Sequence, residues 1–187
     1  MKRKGLAFVL LGMTGLVMGT GFAADGQIDI TGTITDTTCP ISGSTSAAPG
    51  TSATFPLRLP SVQASALKAA GDTAAYTPFF IHIGGGTNCS APSVAVLFER
   101  SSPMINPASG NLLIGTTGTP ATNVEVQIVD VTANAAIDLR LAASSTGVPL
   151  VNGAVTTLPF AAQYVAVAGP AGPGAVVTSV QYSVTFP

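Results

Sequence analysis

Two cysteines and one histidine are the side chains of this 187-residue chain best suited to chemistry. Cys39 and Cys89 are its only thiols, and an even number of cysteines in an oxidising compartment predicts a disulfide. The bond would close a loop of about 50 residues and stabilise the fold by about 4 kcal/mol in the chain-entropy model. A metal site would need more ligands than these thiolates and His82 supply. The cysteines therefore predict a structural disulfide and no metal.

The other ionisable side chains do not form a pattern typical of an active site. An enzyme needs a nucleophile beside a base, or two carboxylates in a cleft. His82 alternates with Ile81 and Ile83, which predicts a histidine on the outer surface of a strand. Asp130 and Asp138 flank a predicted turn and are expected to be solvated. We therefore expect no catalytic activity and no cofactor.

The first 23 residues have the order of a bacterial secretory signal. A basic start at residues 2–4 precedes an apolar run at 6–18, and small residues then lead to Ala23. The apolar run is shorter than the about 20 residues that a membrane-spanning helix needs. We expect cleavage after Ala23, to within one residue, and export of the remaining chain into an oxidising compartment.

Charge excludes one class of partner. Three of the seven basic residues lie in the leader, whereas all eight acidic residues follow it, so the exported chain has a net charge of −4. It has no basic patch to neutralise phosphates, and nucleic acid is therefore not an expected partner.

Short strands joined by turns are the elements expected to position these residues. The chain is 47% hydrophobic and 8% charged, with 21 Gly and 14 Pro, and its repeated spacing of strands and turns predicts a β-sandwich. Residues 42–53 are expected to form a loop and 61–70 a short helix or helical turn. Strands are predicted at 79–83, 94–98, 123–130, 137–141 and 160–167.

Apolar and polar residues also alternate at both ends of the exported chain. The apolar positions are Ile28, Ile30, Gly32 and Ile34 near its start, and Val180, Tyr182, Val184 and Phe186 just before Pro187. Period two predicts an extended strand with one apolar face, on which Gly32 marks a bulge or a close approach. Two interpretations remain open. Both strands belong to one closed sandwich, or the sandwich lacks an edge strand that another chain supplies.

Several motifs resemble those of the type 1 fimbrial major subunit, a pilin of the chaperone–usher class. The first is Ile-Asp-Ile-Thr-Gly-Thr-Ile at 28–34, before Thr-Thr-Cys at 37–39. Others follow in the family's order and spacing: ATNVEVQIVD at 121–130, NG at 152–153, LPFAAQY at 158–164, PG at 173–174 and VQY at 180–182. The family usually has a penultimate Tyr, where this chain has Phe186. The resemblance covers nearly all of the chain after the leader.

The resemblance implies an all-β, incomplete immunoglobulin-like sandwich that lacks one edge strand and is completed by a donor strand from a neighbouring subunit. It implies a signal peptide at 1–23, a donor-strand extension at 24–38 and a pilin domain at 39–187. The donor side chains would be Ile28, Ile30, Gly32 and Ile34, with Gly32 where the acceptor groove is too shallow for a side chain. The acceptor groove and chaperone-binding strand would comprise Val180, Tyr182, Val184, Phe186 and Pro187, with the Pro187 carboxylate held by the chaperone.

The implied function is that of a structural pilin subunit, which polymerises by donor-strand exchange into a surface fimbria supporting adhesion of a Gram-negative bacterium. The implied partners are other copies of the chain, a periplasmic chaperone, an outer-membrane usher, and minor and tip subunits. Two alternatives remain open at this point: a minor or adaptor subunit of the same fimbria, and a secreted monomeric binding module.

Overall fold

The computed structural model describes residues 39–86, 89 and 91–187. This part of the chain forms eight β-strands in the order β1 (Ile41–Ser44), β2 (Thr73–Gly84), β3 (Ser93–Phe98), β4 (Val124–Asp130), β5 (Ala135–Ala136), β6 (Val148–Pro149), β7 (Val155–Ala166) and β8 (Tyr182–Thr185). A 3₁₀ helix, Ala64–Ala66, lies between β1 and β2. No helix within the described residues is long and apolar enough to span a membrane.

The strands form two antiparallel sheets. The larger sheet has the order β1-β2-β7-β4-β5, and the smaller sheet has the order β6-β3-β8. β2 and β7, each 12 residues long, are the longest strands and pair along most of their length. β8 pairs with β3 and lies at the edge of the smaller sheet. The expected all-β sandwich is confirmed.

Alternating apolar side chains build the core between the sheets. In β2, Phe79, Ile81 and Ile83 are buried, as period two predicts for one face of a strand. Phe160 of β7 joins the two sheets, because its ring centroid lies 5.6 Å from that of Phe79 and 5.4 Å from that of Phe98 in β3. Burying a side chain of this size stabilises a fold by about 1.5–3 kcal/mol.

The predicted disulfide is present between Cys39 and Cys89, whose Cα atoms are 4.6 Å apart. Cys39 lies two residues before β1, and Cys89 is only 1% exposed in the segment between β2 and β3. The bond therefore holds the start of the larger sheet's edge strand against the connection that leads into the smaller sheet.

Some sequence-based boundaries were wrong. The expected loop at 42–53 overlaps β1, because a short edge strand here pairs with β2 from Ile41 opposite Ile83 to Ser44 opposite Phe80. The predicted strand at 137–141 is instead a turn. Its cause is Asp138, whose carboxylate accepts hydrogen bonds from the Arg140 backbone and side chain. The helical turn expected at 61–70 is present as the 3₁₀ helix.

Two expected surface side chains are in fact buried. His82 is 2% exposed, because β2 is flanked by β1 and β7, Thr157 Oγ1 lies 2.9 Å from its Nδ1, and the Phe80 ring stacks on it. Asp130 is 5% exposed, and its carboxylate accepts hydrogen bonds from the backbone N–H groups of Thr132, Ala133 and Thr146. The carboxylate therefore organises the turn after β4 instead of facing solvent.

Candidate functional site: an apolar groove beside β8

A cavity of about 770 Å³ lies between β8 and the extended segment at 53–59. One wall consists of residues 178–184, and the opposite wall consists of residues 53–57 with Leu59. The remaining lining residues belong to the core or its margin: Ile41, Phe79, Ile81, Phe98, Leu112, Val126, Ile128 and Ala162. We call this cavity the groove. It opens the interior of the sandwich along one side.

The groove is apolar and uncharged. No residue that lines it carries a formal charge, and its polar lining side chains are hydroxyls, Gln181 and the Tyr182 phenol. Burial raises the pKa of Tyr182 above its usual value, as desolvation does for any group that is charged only when deprotonated. An apolar side chain is therefore the complementary occupant. Among the described residues, no cluster of three metal-ligating side chains is present.

Alternation in the 53–59 wall turns every second side chain toward the core. Phe55, Leu57 and Leu59 pack against it, whereas Pro56 and Arg58 are exposed. Proline has no backbone N–H to donate to a neighbouring strand, so Pro56 leaves this wall with one donor fewer.

Phe55 holds the 53–59 wall against the larger sheet. Its ring centroid is 6.0 Å from that of Phe79, and the ring lies directly over Gly43 of β1, where a Cβ atom would overlap it. The backbone N–H of Gly43 also donates to the Ser52 carbonyl over 2.8 Å. Gly43 is thus required by a close approach, and a larger residue there would displace the Phe55 ring.

β8 is the wall that can pair with another strand. It runs antiparallel to β3, from Tyr182 opposite Phe98 to Thr185 opposite Ala95, and it is the terminal strand of its sheet in the described part of the chain. An edge strand presents backbone N–H and C=O groups that a further strand can pair with. The groove thus combines side-chain pockets with a pairing edge.

The predicted acceptor residues do not all line the groove. Val180, Tyr182 and Val184 line it and pack against the core. Phe186 is 41% exposed and lies outside the lining, and a carboxylate oxygen of Pro187 accepts a hydrogen bond from Ser93 Oγ. The predicted donor residues, Ile28, Ile30, Gly32 and Ile34, lie outside the residues that the structure describes.

Sequence reasoning missed the 53–59 wall altogether. The signal was present in the alternation of Phe55, Leu57 and Leu59 with Pro56, Arg58 and Pro60. Two prolines interrupt hydrogen bonding there and make the segment look like a loop, although its side chains follow period two.

The fold is an immunoglobulin-like sandwich with an open groove. Comparison with known proteins shows the family to which a chain with this fold and groove belongs. The family model described as "Fimbrial protein" matches residues 28–187. The major fimbrial subunit SMF-1 of Stenotrophomonas maltophilia is 36% identical over 172 residues, which cover 88% of this chain and 94% of that protein. The F17 fimbrial protein of Escherichia coli is 31% identical over 172 residues, covering 88% of each chain.

A solved structure of a chaperone–usher pilus shares the fold. It superposes with a TM-score of 0.57 at 18% identity, covering 88% of this chain and 96% of the other. The chain therefore belongs to the fimbrial protein family. It is a structural subunit of a surface fimbria, exported through the periplasm of a Gram-negative bacterium, and it assembles with other subunits into a fibre.

Proposed function

We propose that this chain is the main structural subunit of its fimbria and that it polymerises by donor-strand exchange. In this proposal residues 24–38 of one copy fill the groove of the next copy and pair with the free edge of β8. Each copy then gives one strand and receives one. Such head-to-tail contacts are heterologous and need not close, so they produce a filament.

The observation that carries the proposal is the groove itself. An apolar cavity of about 770 Å³ lies beside an edge strand whose inward residues are only half-buried. An apolar surface next to an unpaired edge promotes aggregation unless it is covered. Addition of a strand would cover the apolar surface and pair the free edge, because its backbone hydrogen-bonds to the edge while its alternate side chains fill the pockets.

The chain carries a segment whose chemistry fits the groove. Ile28, Ile30 and Ile34 are β-branched and apolar, so they favour an extended strand and match an uncharged lining. Their polar neighbours Asp29, Thr31 and Thr33 would face away from the groove. The relative from Stenotrophomonas maltophilia is described as a major fimbrial subunit, which favours the main subunit over a minor or adaptor role.

Export and capping complete the proposal. Residues 1–23 act as the signal peptide and are removed, and 39–187 form the pilin domain. A periplasmic chaperone first pairs with β8 and holds the Pro187 carboxylate, and an outer-membrane usher then exchanges the chaperone for the next subunit. Minor and tip subunits join the same fibre by the same contact. The subunit needs no catalytic residue or cofactor for these steps.

Electrophoresis of material sheared from cells that express the chain tests this proposal. Without heating, we expect high-mass species, and after strong heating a single subunit band, because the polymer is non-covalent and kinetically trapped. Gly32→Ile should abolish the high-mass species but leave the chaperone-bound subunit, whereas the matched control Thr33→Ile, which faces away from the groove, should assemble. Free subunit in both wild-type lanes would contradict the proposal.

A further inference from the structure

A β-bulge in β2 turns a tyrosine side chain outward. The pairing of β2 with β7 shifts between Ala74 and Thr77, where β2 has one residue more than β7. Ala75 lies in this bulge with a φ of 62°, a left-handed conformation that costs free energy in a residue other than glycine. The next residue, Tyr76, is 54% exposed. Because bulges re-aim side chains, the strained backbone indicates that the outward position of Tyr76 serves a purpose beyond folding.

The bulge places Tyr76 opposite Gln163 of β7, on the outer face of the larger sheet. Gln163 lies between Ala162 and Tyr164, which pair with β2 on either side of the bulge and belong to the core. Period two therefore turns Gln163 away from the core. Tyr76 is three residues before the buried Phe79, so these two side chains point to opposite faces of β2. The tyrosine ring and the Gln163 amide thus share one side of the sheet.

A row of hydrogen bonds holds the Gln163 amide in place. Its Nε2 donates to Oε1 of Gln127 in β4 over 2.9 Å. Gln127 Nε2 donates to Asn111 Oδ1 over 3.5 Å, and Asn111 Nδ2 donates to the Glu125 carboxylate over 3.0 Å. Glu125 is buried, and its carboxylate only accepts hydrogen bonds, so it sets the direction of the row. Among the described residues, this leaves the Gln163 amide with one N–H and Oε1 for a further partner.

We propose that Tyr76 and Gln163, which we call the outer site, bind a neutral saccharide, a cellulose-type chain of β-linked glucose units. The tyrosine offers a flat apolar face, and a pyranose ring with equatorial hydroxyls has axial C–H groups that pack against such a face. The amide presents a donor and an acceptor side by side, as two neighbouring sugar hydroxyls do. This inference goes beyond the structural role, because it gives the fimbria a ligand of its own.

Charge and size favour a neutral saccharide over other occupants. The outer site and the neighbouring Gln127 are uncharged, and the exported chain has a net charge of −4, which repels an acidic polysaccharide. Within the described strands β2 and β4, Tyr76 is the only large apolar side chain that is exposed. A protein partner needs a larger contact, about 800 Å² on each side with an apolar centre. A single ring beside one oriented amide fits a sugar unit instead.

Repetition along the fibre makes so small a site effective. One ring and one amide hold a single sugar unit weakly, since few atoms are in contact. Each subunit carries the same site, and linked sites that engage one long polysaccharide together raise the overall affinity by about 10²–10⁴. We therefore expect the fibre to be retained on a polysaccharide surface that does not retain an isolated subunit.

Co-sedimentation of purified fibres with insoluble cellulose tests the outer site. Wild-type fibres should sediment with the cellulose, and an excess of soluble cellotetraose should release them. Tyr76→Ala removes the stacking surface and should lower the bound fraction about tenfold, because multivalent binding amplifies a loss that recurs in each copy. Tyr76→Phe keeps the ring and should bind nearly as well as wild type. Gln163→Leu keeps the size of the side chain but loses the amide, and should bind less than wild type.

The matched control is Leu141→Ala, which removes an exposed apolar side chain outside the outer site and should bind as wild type does. Failure of wild-type fibres to sediment with cellulose would overturn the proposal, as would equal binding by wild type, Tyr76→Ala and Gln163→Leu. If Tyr76→Ala yields no fibres, Gln163→Leu decides alone.

Electron micrographs of the Tyr76→Ala fibres distinguish a saccharide from a second copy of the chain as the occupant. An unchanged fibre shape is the expected result. A changed shape would mean that Tyr76 contacts a neighbouring copy, and the saccharide site would be wrong. None of these results depends on how the subunits are joined, because fibres of each variant are compared at equal mass. Donor-strand exchange is judged separately, from the high-mass species on the unheated gel.

Discussion

The two sheets of the sandwich differ in how completely their strands are paired. In the larger sheet β2 and β7 run side by side for most of 12 residues, and β7 has strands on both sides. In the smaller sheet β8 is four residues long, pairs with β3, and has no buried residue. The same core supports both sheets. The comparison separates residues that make the subunit fold from residues that make it assemble.

Placement of the disulfide follows the same division. Cys39 and Cys89 link the start of β1 to the β2–β3 connection. On the groove side, by contrast, the Tyr182 hydroxyl donates a hydrogen bond to the Ala53 carbonyl. We expect substitutions in the larger sheet to lower the free energy of unfolding of the free subunit. Substitutions along β8 should instead weaken the fibre.

The largest effect is expected at Phe160, the residue that joins both sheets. Phe160→Ala removes a ring that is 1% exposed and contacts two other aromatic rings, and should lower the free energy of unfolding by about 5 kcal/mol. Urea denaturation of purified subunit measures it. The matched control Phe186→Ala, on the β8 side and 41% exposed, should change stability by less than about 1 kcal/mol. An equal loss of unfolding free energy in both variants would contradict the view that the core residues, and not those beside β8, stabilise the free subunit.

Removing the disulfide should cost slightly less. The double variant Cys39→Ser/Cys89→Ser avoids a free thiol and frees a connection of 50 residues, which the chain-entropy model values at about 4 kcal/mol. Periplasmic yield and the urea midpoint should both fall. Single substitution of Cys39 should lower the yield as well. Unchanged yield and midpoint in the double variant would mean that the bond does not stabilise the subunit.

A substitution in β8 should weaken the fibre more than it destabilises the free subunit. Val184→Ala trims a half-buried side chain in the groove, so the free subunit should lose about 1 kcal/mol or less. The fibre should dissociate at a lower temperature, since the shortened side chain contacts the inserted strand. Ile83→Val, in the core and outside the groove lining, is the control: it should cost about 1 kcal/mol in the free subunit and leave the dissociation temperature of the fibre nearly unchanged. A normal dissociation temperature for Val184→Ala fibres would place the inserted strand elsewhere.

The smallest expected effect lies in the turn after β5. The Arg140 side chain hydrogen-bonds the Asp138 carboxylate and lowers its pKa below the usual 3.8. Because the folded-state pKa is lowered, the stabilisation is present above pH 3.8 and is lost as the pH falls through the folded value. Arg140→Gln should therefore reduce the drop in urea midpoint between about pH 6 and about pH 3. Lys68→Gln is the control, and an identical drop in both variants would contradict the assignment.

Local sequence pattern predicted two strands of the core closely. The alternation at 123–130 gave β4 almost to the residue, and the 94–98 prediction gave β3. It failed where side chains act on the backbone: Asp138 turns the chain where apolar residues suggested a strand, and Asp130 is buried by its hydrogen bonds to the backbone.

The groove could be predicted only in part from the sequence. Val180, Tyr182 and Val184 follow from period two, whereas the opposite wall depends on tertiary contacts, since only the packing of Phe55 over Gly43 and against Phe79 places it beside β8. The hydrogen bond from the Tyr182 hydroxyl to the Ala53 carbonyl joins residues 129 positions apart. No local pattern encodes a contact of that range.

Hydrogen exchange of β8 is the most direct test of the central claim that another copy completes the smaller sheet. Amides of Tyr182–Thr185 that face away from β3 should exchange rapidly in the free subunit and slowly in the fibre, while those of β2 and β7 stay protected in both. Such a change confined to β8 is the predicted result. Equal exchange of the β8 amides in subunit and fibre would contradict strand addition at this edge.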